Sequence, residues 1–483
     1  MTRWVIGPFN RVEGDLEVKI DIDDGRVTEA WVTSPLYRGF EHMLVGKDPR
    51  DALVYAPRIC GICSVSQSVA AAKALRQAQG IAMAVNGELA TNLVLACENV
   101  VDHLTHFYLF FMPDFARQVY AKNAWFDEVR RRFKAVEGSA GRDFLPVRAQ
   151  FLHLMGLLAG KWPHSLALQP GGTTCAVGAS EKQRLLGLLF ALRQFLERQL
   201  FGVTLEQVSE MQTLDDLRDY SQLDQPGSTD LRRFLFLAQT LTLHELGRAA
   251  DCFMSYGAYE IDGQHQFKQG VWAGRVESLN SETIREDVSH SWLSGTPMPL
   301  HPWDGVTQPG SGEEDDGYTW CKAPRLDGRV VEVGAMARQL IDGQPLIESL
   351  VRESGGNVRN RVVARLLEVA RIVPMMEQWV KALRPGEPFC VAAELPEAGE
   401  GVGMVEAARG SLGHWLSIRD GRIHNYQIVA PTTWNFSPRD GDGQPGALEQ
   451  ALIGAPVRAG EREPVAVQHI VRSFDPCMVC TVH

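Results

Sequence analysis

The chain has 483 residues, of which 45% are hydrophobic and 22% charged, so it can bury a large core, and its length allows about two to four domains. Its formal net charge of −11 argues against a broad nucleic-acid-binding surface. No run of about 18 apolar residues and no apolar signal core occur, so we expect no transmembrane span. A cytoplasmic location is expected unless a partner carries the chain elsewhere.

Strands are predicted near both ends of the chain. In residues 16–22 apolar side chains alternate with charged ones, an Asp-Gly pair at 24–25 marks a turn, and residues 27–32 return. Residues 415–429 repeat this pattern around a second Asp-Gly pair at 420–421. Each pattern is typical of a β-hairpin.

Helices dominate between these hairpins. Asn86 is expected to cap the helix predicted over 88–111. Residues 296–320 are rich in Pro, Gly and acidic residues and are expected to form a loop. Apolar residues at helical spacing predict helices over 62–79, 88–111, 145–160, 180–212, 229–253 and 357–383. We therefore predict a mainly α fold with small β-sheets (α+β), formed as one interwoven domain over 1–483.

Nine cysteines are scattered along the chain, and an odd count over this length is not typical of a disulfide framework. Four form two Cys-x-x-Cys pairs, Cys60/Cys63 and Cys477/Cys480, and the other five are expected to be buried small hydrophobic residues. One pair alone is compatible with a redox dithiol or with chance. Two pairs can hold metal through four thiolates, and composition leaves zinc, nickel and an iron–sulfur cluster open.

The residues around both pairs carry a family resemblance. RICGICSVSQS (58–68) and DPCMVCTVH (475–483) together resemble the two signature motifs of the large subunit of [NiFe] hydrogenases. Further matching motifs follow in family order: RVEG (11–14), RGFE (38–41), DHLTHFY (102–108), PGGTT (170–174), KAPRLDG (322–328), EAARGSLGHW (406–415) and APTTWNFSPRD (430–440). The resemblance extends over most of the chain and implies the large-subunit fold, with an active site joining the N- and C-terminal segments.

The resemblance implies a Ni–Fe centre that carries out H2 ⇌ 2H+ + 2e−. By similarity Cys63 and Cys480 bridge the two metals, Cys60 and Cys477 bind nickel terminally, and the iron carries carbonyl and cyanide ligands. Soft thiolates suit low-valent nickel and iron. A quinone-site subunit of respiratory complex I is the related alternative, but that relative lacks the four cysteines.

A second set of residues is implied around this centre. Terminal Cys477 would accept the first proton and Glu13 would relay it onward. Arg409 would overhang the open coordination site, where a permanently charged guanidinium is better suited to orienting and polarising than to acting as a base. Asp102 and Asp475 resemble the carboxylates that hold this arginine.

Two further ligand sites follow from the resemblance. Thr433 would hydrogen-bond a cyanide ligand. Glu41 and His483 match the pair that helps to bind Mg2+ in related enzymes, and the backbone carbonyl near Val429 is expected to contribute. Oxygen ligands and waters suit Mg2+, whereas the histidine is less typical.

The chain departs from the common family pattern at several positions. Gln67 stands where many relatives have histidine, and we expect it to alter a hydrogen bond to a bridging thiolate. Asp15 replaces a histidine, and Ala408 replaces the usual proline before Arg409. Ile62 and Phe110 replace smaller residues that line the gas path, so we expect a narrower path, low turnover and oxygen tolerance.

The SVSQS sequence and these bulkier residues resemble regulatory, H2-sensing hydrogenases and their uptake relatives. We therefore predict a regulatory H2 sensor that reports to a histidine kinase, with an energy-conserving uptake enzyme as the alternative. The isolated cysteines are not clustered as an electron relay, so we expect an iron–sulfur small subunit, in a heterodimer or a dimer of heterodimers. The end at His483 is expected either from the gene, as in sensors, or from proteolytic processing, as in uptake enzymes.

Overall fold

Helices and strands alternate along the computed structural model, which describes residues 2–223, 228–296, 298–310 and 316–483. The helices are α1 (Phe40–Leu44), α2 (Ala52–Tyr55), α3 (Ser64–Gln79), α4 (Val85–Thr105), α5 (Phe126–Phe133), α6 (Ser139–Phe151), α7 (His153–Ala159), α8 (Ala179–Phe195), α9 (Leu205–Ser209), α10 (Leu214–Gln222), α11 (Asp230–Thr240), α12 (Ala335–Asp342), α13 (Pro345–Ser354), α14 (Val358–Ala382), α15 (Pro431–Asn435), α16 (Ala447–Leu452), α17 (Val465–Phe474) and α18 (Met478–Thr481). The strands are β1 (Thr2–Ile6), β2 (Glu17–Asp23), β3 (Arg26–Thr33), β4 (Leu168–Gln169), β5 (Gly172–Thr173), β6 (Phe253–Ile261), β7 (Gln264–Trp272), β8 (Val276–Glu277), β9 (Ile284–Asp287), β10 (Leu293–Ser294), β11 (Gln308–Pro309), β12 (Ala323–Leu326), β13 (Gly399–Ala407), β14 (Gly410–Arg419) and β15 (Arg422–Val429). The predicted mainly helical fold with small sheets is confirmed.

Both predicted hairpins are present in three-stranded antiparallel sheets, β1-β2-β3 and β13-β14-β15. Asp24 and Gly25 have φ of 46° and 71°, and Asp420 and Gly421 have φ of 50° and 65°. Positive φ at both central residues is the type I′ geometry, whose twist matches that of the strands it joins. The Asp-Gly pairs therefore set the turns that the sequence predicted.

Several predicted helices match the structure well. α3 and α14 reproduce 62–79 and 357–383, and α4 continues into a π-helical segment at His106–Phe111, which accounts for the prediction over 88–111. Asn86 was wrong as the cap. Its amide nitrogen donates to the Arg384 carbonyl at 2.9 Å and its oxygen accepts from the Arg384 amide, so it fastens a distant loop.

Other helices end earlier or divide. The helix predicted over 229–253 was too long, because α11 ends at Thr240 and β6 begins at Phe253. The pattern over 180–212 breaks at Gly202, which has a φ of 72°. The pattern over 145–160 forms α6 and α7. Within the predicted loop 296–320, residues 297 and 311–315 lie outside the described residues, and β11 pairs with β10.

The centre of the helical core is formed by α4 and α14, which are buried around most of their circumference. A helix that is buried on all sides has no face exposed to solvent, so its charged residues need partners inside the protein. α4 carries Glu98, Asp102 and His103 into this core, and α14 carries Glu368. Both helices therefore bring ionisable groups towards the interior.

Helix α3 lies unusually close to strand β13. A Cβ atom at Gly401 or Gly403 would come within 1.9 Å or 1.8 Å of the Ala74 or Ala70 carbonyl oxygen, so only glycine allows this approach. The contact fixes the middle of α3 against the first half of β13. Among the described residues, no helix is long and apolar enough to cross a membrane. The single interwoven domain stays a prediction.

Candidate metal centre

The four paired cysteines converge in one buried cluster. Their sulfur atoms all lie within 4.8 Å of one another. The Sγ–Sγ distances are 3.4 Å for Cys60–Cys477 and 3.0 Å for both Cys63–Cys480 and Cys477–Cys480. All four side chains are buried and none is in a disulfide. The fold therefore brings together thiols that are separated by most of the chain, as predicted.

The first pair is held at the beginning of helix α3. Cys63 occupies the N-cap position of this helix. Glu98 of α4 accepts hydrogen bonds from the Val65 and Ser66 amides at 2.8 Å and 2.9 Å and from Trp162 Nε1 at 3.1 Å. A buried carboxylate thus satisfies amides that a helix start leaves without partners. No motif in the sequence pointed to Glu98.

The second pair is held by both termini of the chain. The Glu13 amide donates to the Pro476 carbonyl at 3.3 Å, and the Met478 amide donates to the Glu13 carbonyl at 2.7 Å, which forms a parallel bridge. The Cys477 amide donates to Thr432 Oγ1 at 3.2 Å. Sequence analysis chose Thr433 and missed Thr432, although both stand in the same APTTWN motif.

The electrostatics of the cluster call for a cation. Burial raises the pKa of the Cys480 and Cys477 thiols, whereas the hydrogen bond with Cys477 lowers the pKa of Cys60. Four thiolates at these distances repel one another in a medium that solvates charge poorly. A soft metal that binds sulfur removes this repulsion, so the donor set fits a nickel–iron pair.

Arg409 lies beside the cluster between two buried carboxylates. Its Nε donates to the Asp475 carbonyl at 2.9 Å and its Nη2 to Asp475 Oδ1 at 3.1 Å, while its Nη1 lies 3.1 Å from Asp102 Oδ2. Burial lowers the pKa of Arg409, but Asp102, Asp475 and the Cys477 sulfur outweigh it and raise the pKa well above its ordinary value. The guanidinium therefore remains charged beside the cysteines, and its predicted place over the open coordination site stays a prediction.

Comparison with known proteins identifies the family. A family model described as nickel-dependent hydrogenase matches residues 38–136 and 142–483. The chain belongs to the nickel-dependent hydrogenases. It is 30% identical to the periplasmic [NiFeSe] hydrogenase large subunit of Desulfomicrobium baculatum, over 99% of this chain and 94% of that protein. It is 28% identical to the uptake hydrogenase large subunit of Rhodobacter capsulatus, over 100% of this chain and 95% of that protein.

Solved structures agree with this assignment. The reduced Ni-Fe-Se hydrogenase from D. vulgaris Hildenborough aligns with a TM-score of 0.84 and 29% identity, over 100% of both chains. The protein is thus the catalytic large subunit of a nickel-dependent hydrogenase, an oxidoreductase that acts on H2, and its four cysteines bind the Ni–Fe centre. A zinc protein and a complex I subunit are excluded. The named relatives are periplasmic and uptake enzymes, so they favour the uptake alternative over the predicted sensor.

Glu13 lies half-buried next to the cluster of this hydrogenase subunit. Burial raises the pKa of its carboxyl, the Cys60 sulfur raises it further, and Arg409 and Arg38 lower it, with a net shift upwards. A carboxyl whose pKa is raised holds a proton more readily than an ordinary glutamate, which suits a group that receives a proton and passes it on. Its position fits the predicted relay, and its backbone forms the bridge to residues 476 and 478.

Gln67 hydrogen-bonds to a buried histidine. Its Oε1 lies 2.8 Å from His414 Nε2, and His414 Nδ1 lies 2.7 Å from the Tyr426 hydroxyl. Burial lowers the pKa of His414 to about 3, so this imidazole is neutral. The three side chains link α3 to β14 and β15. The predicted change in a hydrogen bond to a bridging thiolate stays a prediction.

Thr433, Ile62 and Phe110 contact their surroundings through ordinary protein interactions. The Thr433 hydroxyl donates to the Thr481 carbonyl at 3.1 Å, so it ties α15 to the segment that carries Cys480. Ile62 packs, partly buried, against the apolar residues around the cysteines. The Phe110 carbonyl accepts from Arg11 at 3.0 Å. The cyanide contact and the narrowed gas path stay predictions.

A second buried site, which we call the oxygen pocket, adjoins the cluster through His483. The His483 Nδ1 lies 2.9 Å from the Cys480 carbonyl, and its Nε2 lies 2.6 Å from the Ile428 carbonyl and 3.4 Å from Glu41 Oε1. The members of the pocket are Glu41, Glu286, Thr307, Lys322, Gln427, Ile428 and His483. The carbonyl that faces His483 belongs to Ile428, next to Val429, and its role as a metal ligand stays a prediction.

Lys322 occupies the middle of the oxygen pocket. Its ammonium lies 2.8 Å from Gln427 Oε1, 3.3 Å from Glu286 Oε2 and 3.5 Å from Glu41 Oε2. Burial raises the pKa of Glu41, but Lys322 and His483 outweigh it, and the pKa falls to about 2. Sequence analysis placed Lys322 in a motif without a role. The pocket therefore contains a cation supplied by the chain.

Proposed function

We propose that this chain is the H2-oxidising large subunit of an uptake hydrogenase and that it delivers electrons to an iron–sulfur small subunit. The observation that carries the proposal is the buried four-thiol cluster with Arg409 and Glu13 on its margin. The names of the uptake relatives support the direction of the reaction. Regulation through a histidine kinase is the competing function.

The chain's own groups handle the proton in this proposal. When bound, the nickel–iron centre supplies the two-electron chemistry of H2 cleavage, H2 → 2H+ + 2e−. Cys477 Sγ accepts the first proton, and the Glu13 carboxylate receives it and passes it out of the cluster. Arg409 keeps its charge, so it orients and polarises H2 rather than removing a proton.

Electrons leave the large subunit through a partner. Among the described residues, the four site cysteines form the only group of three or more metal-ligating side chains close enough to share an ion. An iron–sulfur small subunit would supply the missing relay, in a heterodimer or a dimer of heterodimers. One relative is named as periplasmic, and a cytoplasmic location for this chain stays a prediction.

Mg2+ in the oxygen pocket is part of the same proposal. Glu41, His483 and the Ile428 carbonyl offer it ligands, since oxygen donors suit a hard cation. Lys322 competes for the Glu41 carboxylate, 3.5 Å from its Oε2, and also lies 3.3 Å from Glu286 Oε2. The ion and the ammonium would therefore share two negative charges.

The test is an infrared and turnover measurement on the heterodimer produced with its small subunit. Uptake function predicts nickel by elemental analysis, carbonyl and cyanide bands that change under H2, and turnover of H2 with an artificial acceptor at about 1 to 1,000 per second, the usual enzyme range. H2-dependent bands with negligible turnover would favour the sensor. Absence of both nickel and these bands would overturn the proposed site chemistry. Rapid inactivation by O2 would contradict the predicted oxygen tolerance.

A further inference from the structure

Arg409 stands on a two-residue turn with an unfavourable geometry. Ala407 pairs with Gly410 across β13 and β14, so Ala408 and Arg409 alone form the connection. Neither residue has a positive φ. Two-residue hairpins prefer turns with positive φ, because turns with negative φ at both positions splay the strands. This turn therefore needs support from outside the hairpin.

Arg338 of helix α12 supplies that support. Its Nη1 donates to the Ala407 carbonyl at 2.8 Å and its Nη2 donates to the Ala408 carbonyl at 3.1 Å. The remaining donors reach Glu368 at 2.8 to 3.2 Å and Glu406 at 2.8 Å. The side chain is buried, so every one of these bonds is shielded from water.

Backbone packing brings the same helix against the turn. Gly410 has a φ of 128°, and a Cβ atom there would come within 2.6 Å of the Gly334 amide nitrogen. Gly334 is the N-cap of α12. The start of α12 is thus in direct contact with the end of the turn, and Arg338 lies one helical turn further along.

The network also reaches the other side of Arg409. Glu368, which Arg338 binds through two nitrogens, lies 3.3 Å from His103 Nε2. His103 follows Asp102 on α4, and Asp102 is the carboxylate 3.1 Å from Arg409 Nη1. Arg338 therefore connects the turn that presents Arg409 with the helix that presents its counter-ion.

We propose that Arg338 is a positioning residue for Arg409: its guanidinium holds the Ala407 and Ala408 carbonyls and thereby fixes Arg409 over the cysteine cluster. The inference rests on the proposed role of Arg409. Lysine cannot replace Arg338, because an ammonium group has its three donors at a single point. The planar guanidinium of Arg338 reaches two carboxylates and two carbonyls at the same time.

The experiment compares Arg338→Lys with Arg325→Lys in the nickel-loaded heterodimer. Arg325 is an equally suitable control, because it is buried, pairs with Asp440 at 2.7 Å and donates to the Pro438 and Gln444 carbonyls at 3.1 Å and 3.0 Å, away from Arg409. We expect Arg338→Lys to keep its nickel and its KM for H2 but to lose kcat by about 100-fold, the usual effect of a displacement near 1 Å. Arg325→Lys should retain the parent's kcat.

Hydrogen–deuterium exchange of the peptide that spans residues 404–412 measures the turn itself. Exchange there should rise in Arg338→Lys and remain unchanged in Arg325→Lys. This readout does not depend on turnover, so it tests whether Arg338 holds the turn separately from whether Arg409 contributes to catalysis. If Arg409→Lys leaves kcat unchanged, the proposed role of Arg409 fails, and the exchange data still decide whether Arg338 holds the turn.

Changes at Ala408 complete the test. Proline favours the first central position of a turn with negative φ, so Ala408→Pro should restore most of the kcat lost in Arg338→Lys. Ala408→Gly with Arg338 intact should keep the parent's kcat. This variant tests the proposal if Arg338→Lys yields no nickel-loaded heterodimer. A 100-fold loss in Ala408→Gly, or parental exchange and kcat in Arg338→Lys, would overturn the proposal.

Discussion

The cysteine cluster and the oxygen pocket are neighbouring buried sites, and the pKa values of Cys477 and Cys480 are shifted in the opposite direction to that of Glu41. His483 contacts both, through the Cys480 carbonyl on one side and Glu41 on the other. The oxygen pocket contains its own cation, Lys322, and the pKa of Glu41 falls to about 2 although burial opposes this. The cluster has no cation among its ligands, and burial raises the pKa of Cys477 and Cys480.

The difference explains which site depends on metal. A buried acid that has an internal cation is stable without a ligand, whereas thiols whose pKa is raised by burial, such as Cys477 and Cys480, become thiolates when a metal binds them. The two sites should therefore respond differently when a residue is removed from each. The following predictions use that difference.

The largest effect is expected from Cys60→Ser. An alcohol oxygen is a poor ligand for soft metals, so nickel content should fall to background and H2 oxidation should disappear. Elemental analysis and an H2 uptake assay measure both. Cys97→Ser is the matched control, since Cys97 is buried but isolated from the cluster. Retention of nickel in Cys60→Ser would contradict the assignment of this thiol as a ligand.

Glu13→Gln removes the proton relay but leaves the ligands in place. Its kcat should fall by about 100- to 10,000-fold, the usual contribution of a positioned acid or base, with nickel content unchanged. Steady-state H2 oxidation measures the loss. Glu17→Gln, at an exposed position at the start of β2, should retain the parent's kcat. Equal kcat values for the two variants would remove Glu13 from the proton path.

Lys322→Met tests the oxygen pocket. Removal of the ammonium leaves Glu41 and Glu286 buried together, so the free energy of unfolding should fall by about 3–5 kcal/mol in metal-free buffer. Denaturant unfolding measures the change, and added Mg2+ should recover part of it if the pocket binds this ion. Lys73→Met, which breaks a partly exposed pair with Glu260, should cost at most about 1 kcal/mol. Equal losses of unfolding free energy in Lys322→Met and Lys73→Met would show that the buried ammonium does not stabilise the oxygen pocket.

Acid should weaken the link that His414 forms between α3 and the strands β14 and β15. Burial lowers the pKa of His414 to about 3, whereas an unfolded histidine titrates near 6.5, so protons bind the unfolded chain first. This histidine's contribution to stability is therefore lost as the pH falls from about 6.5 towards 3, at about 1.4 kcal/mol per pH unit.

The measurement is urea unfolding at pH 7 and pH 5. The parent should lose about 2 kcal/mol more between these values than His414→Gln does, because the glutamine does not titrate. His153→Gln, at an exposed position, should retain the parent's pH dependence. A parental pH dependence in His414→Gln would show that this imidazole is not the group responsible.

Local sequence signals predicted the elements whose cause is local. The Asp-Gly pairs at 24–25 and 420–421 set their turns through their own backbone preferences, and α14 follows from apolar spacing. Asn86 failed as a cap because its partner, Arg384, is distant in sequence. The helix over 229–253 failed because apolar spacing does not reveal where a segment leaves a helix for a strand.

The site was predictable to the extent that its residues stand in motifs. The four cysteines were found in this way, and they meet in the structure, whereas the role of Arg409 beside them stays a prediction. Glu98, Thr432 and Arg338 were missed because each acts through hydrogen bonds to backbone atoms of another segment. Such partners depend on tertiary packing, which residue spacing does not encode.

The parallel bridge between Glu13 and Cys477 has a consequence for biosynthesis. On the ribosome the first cysteine pair and the β1-β2-β3 sheet emerge early, while Cys477 and Cys480 emerge among the last residues of this sequence. Local units fold as they appear, at roughly 5–20 residues per second, but a contact between residues 13 and 477 must wait for both. The four-thiol cluster is therefore completed only after residue 480 has been synthesised and has reached the first cysteine pair.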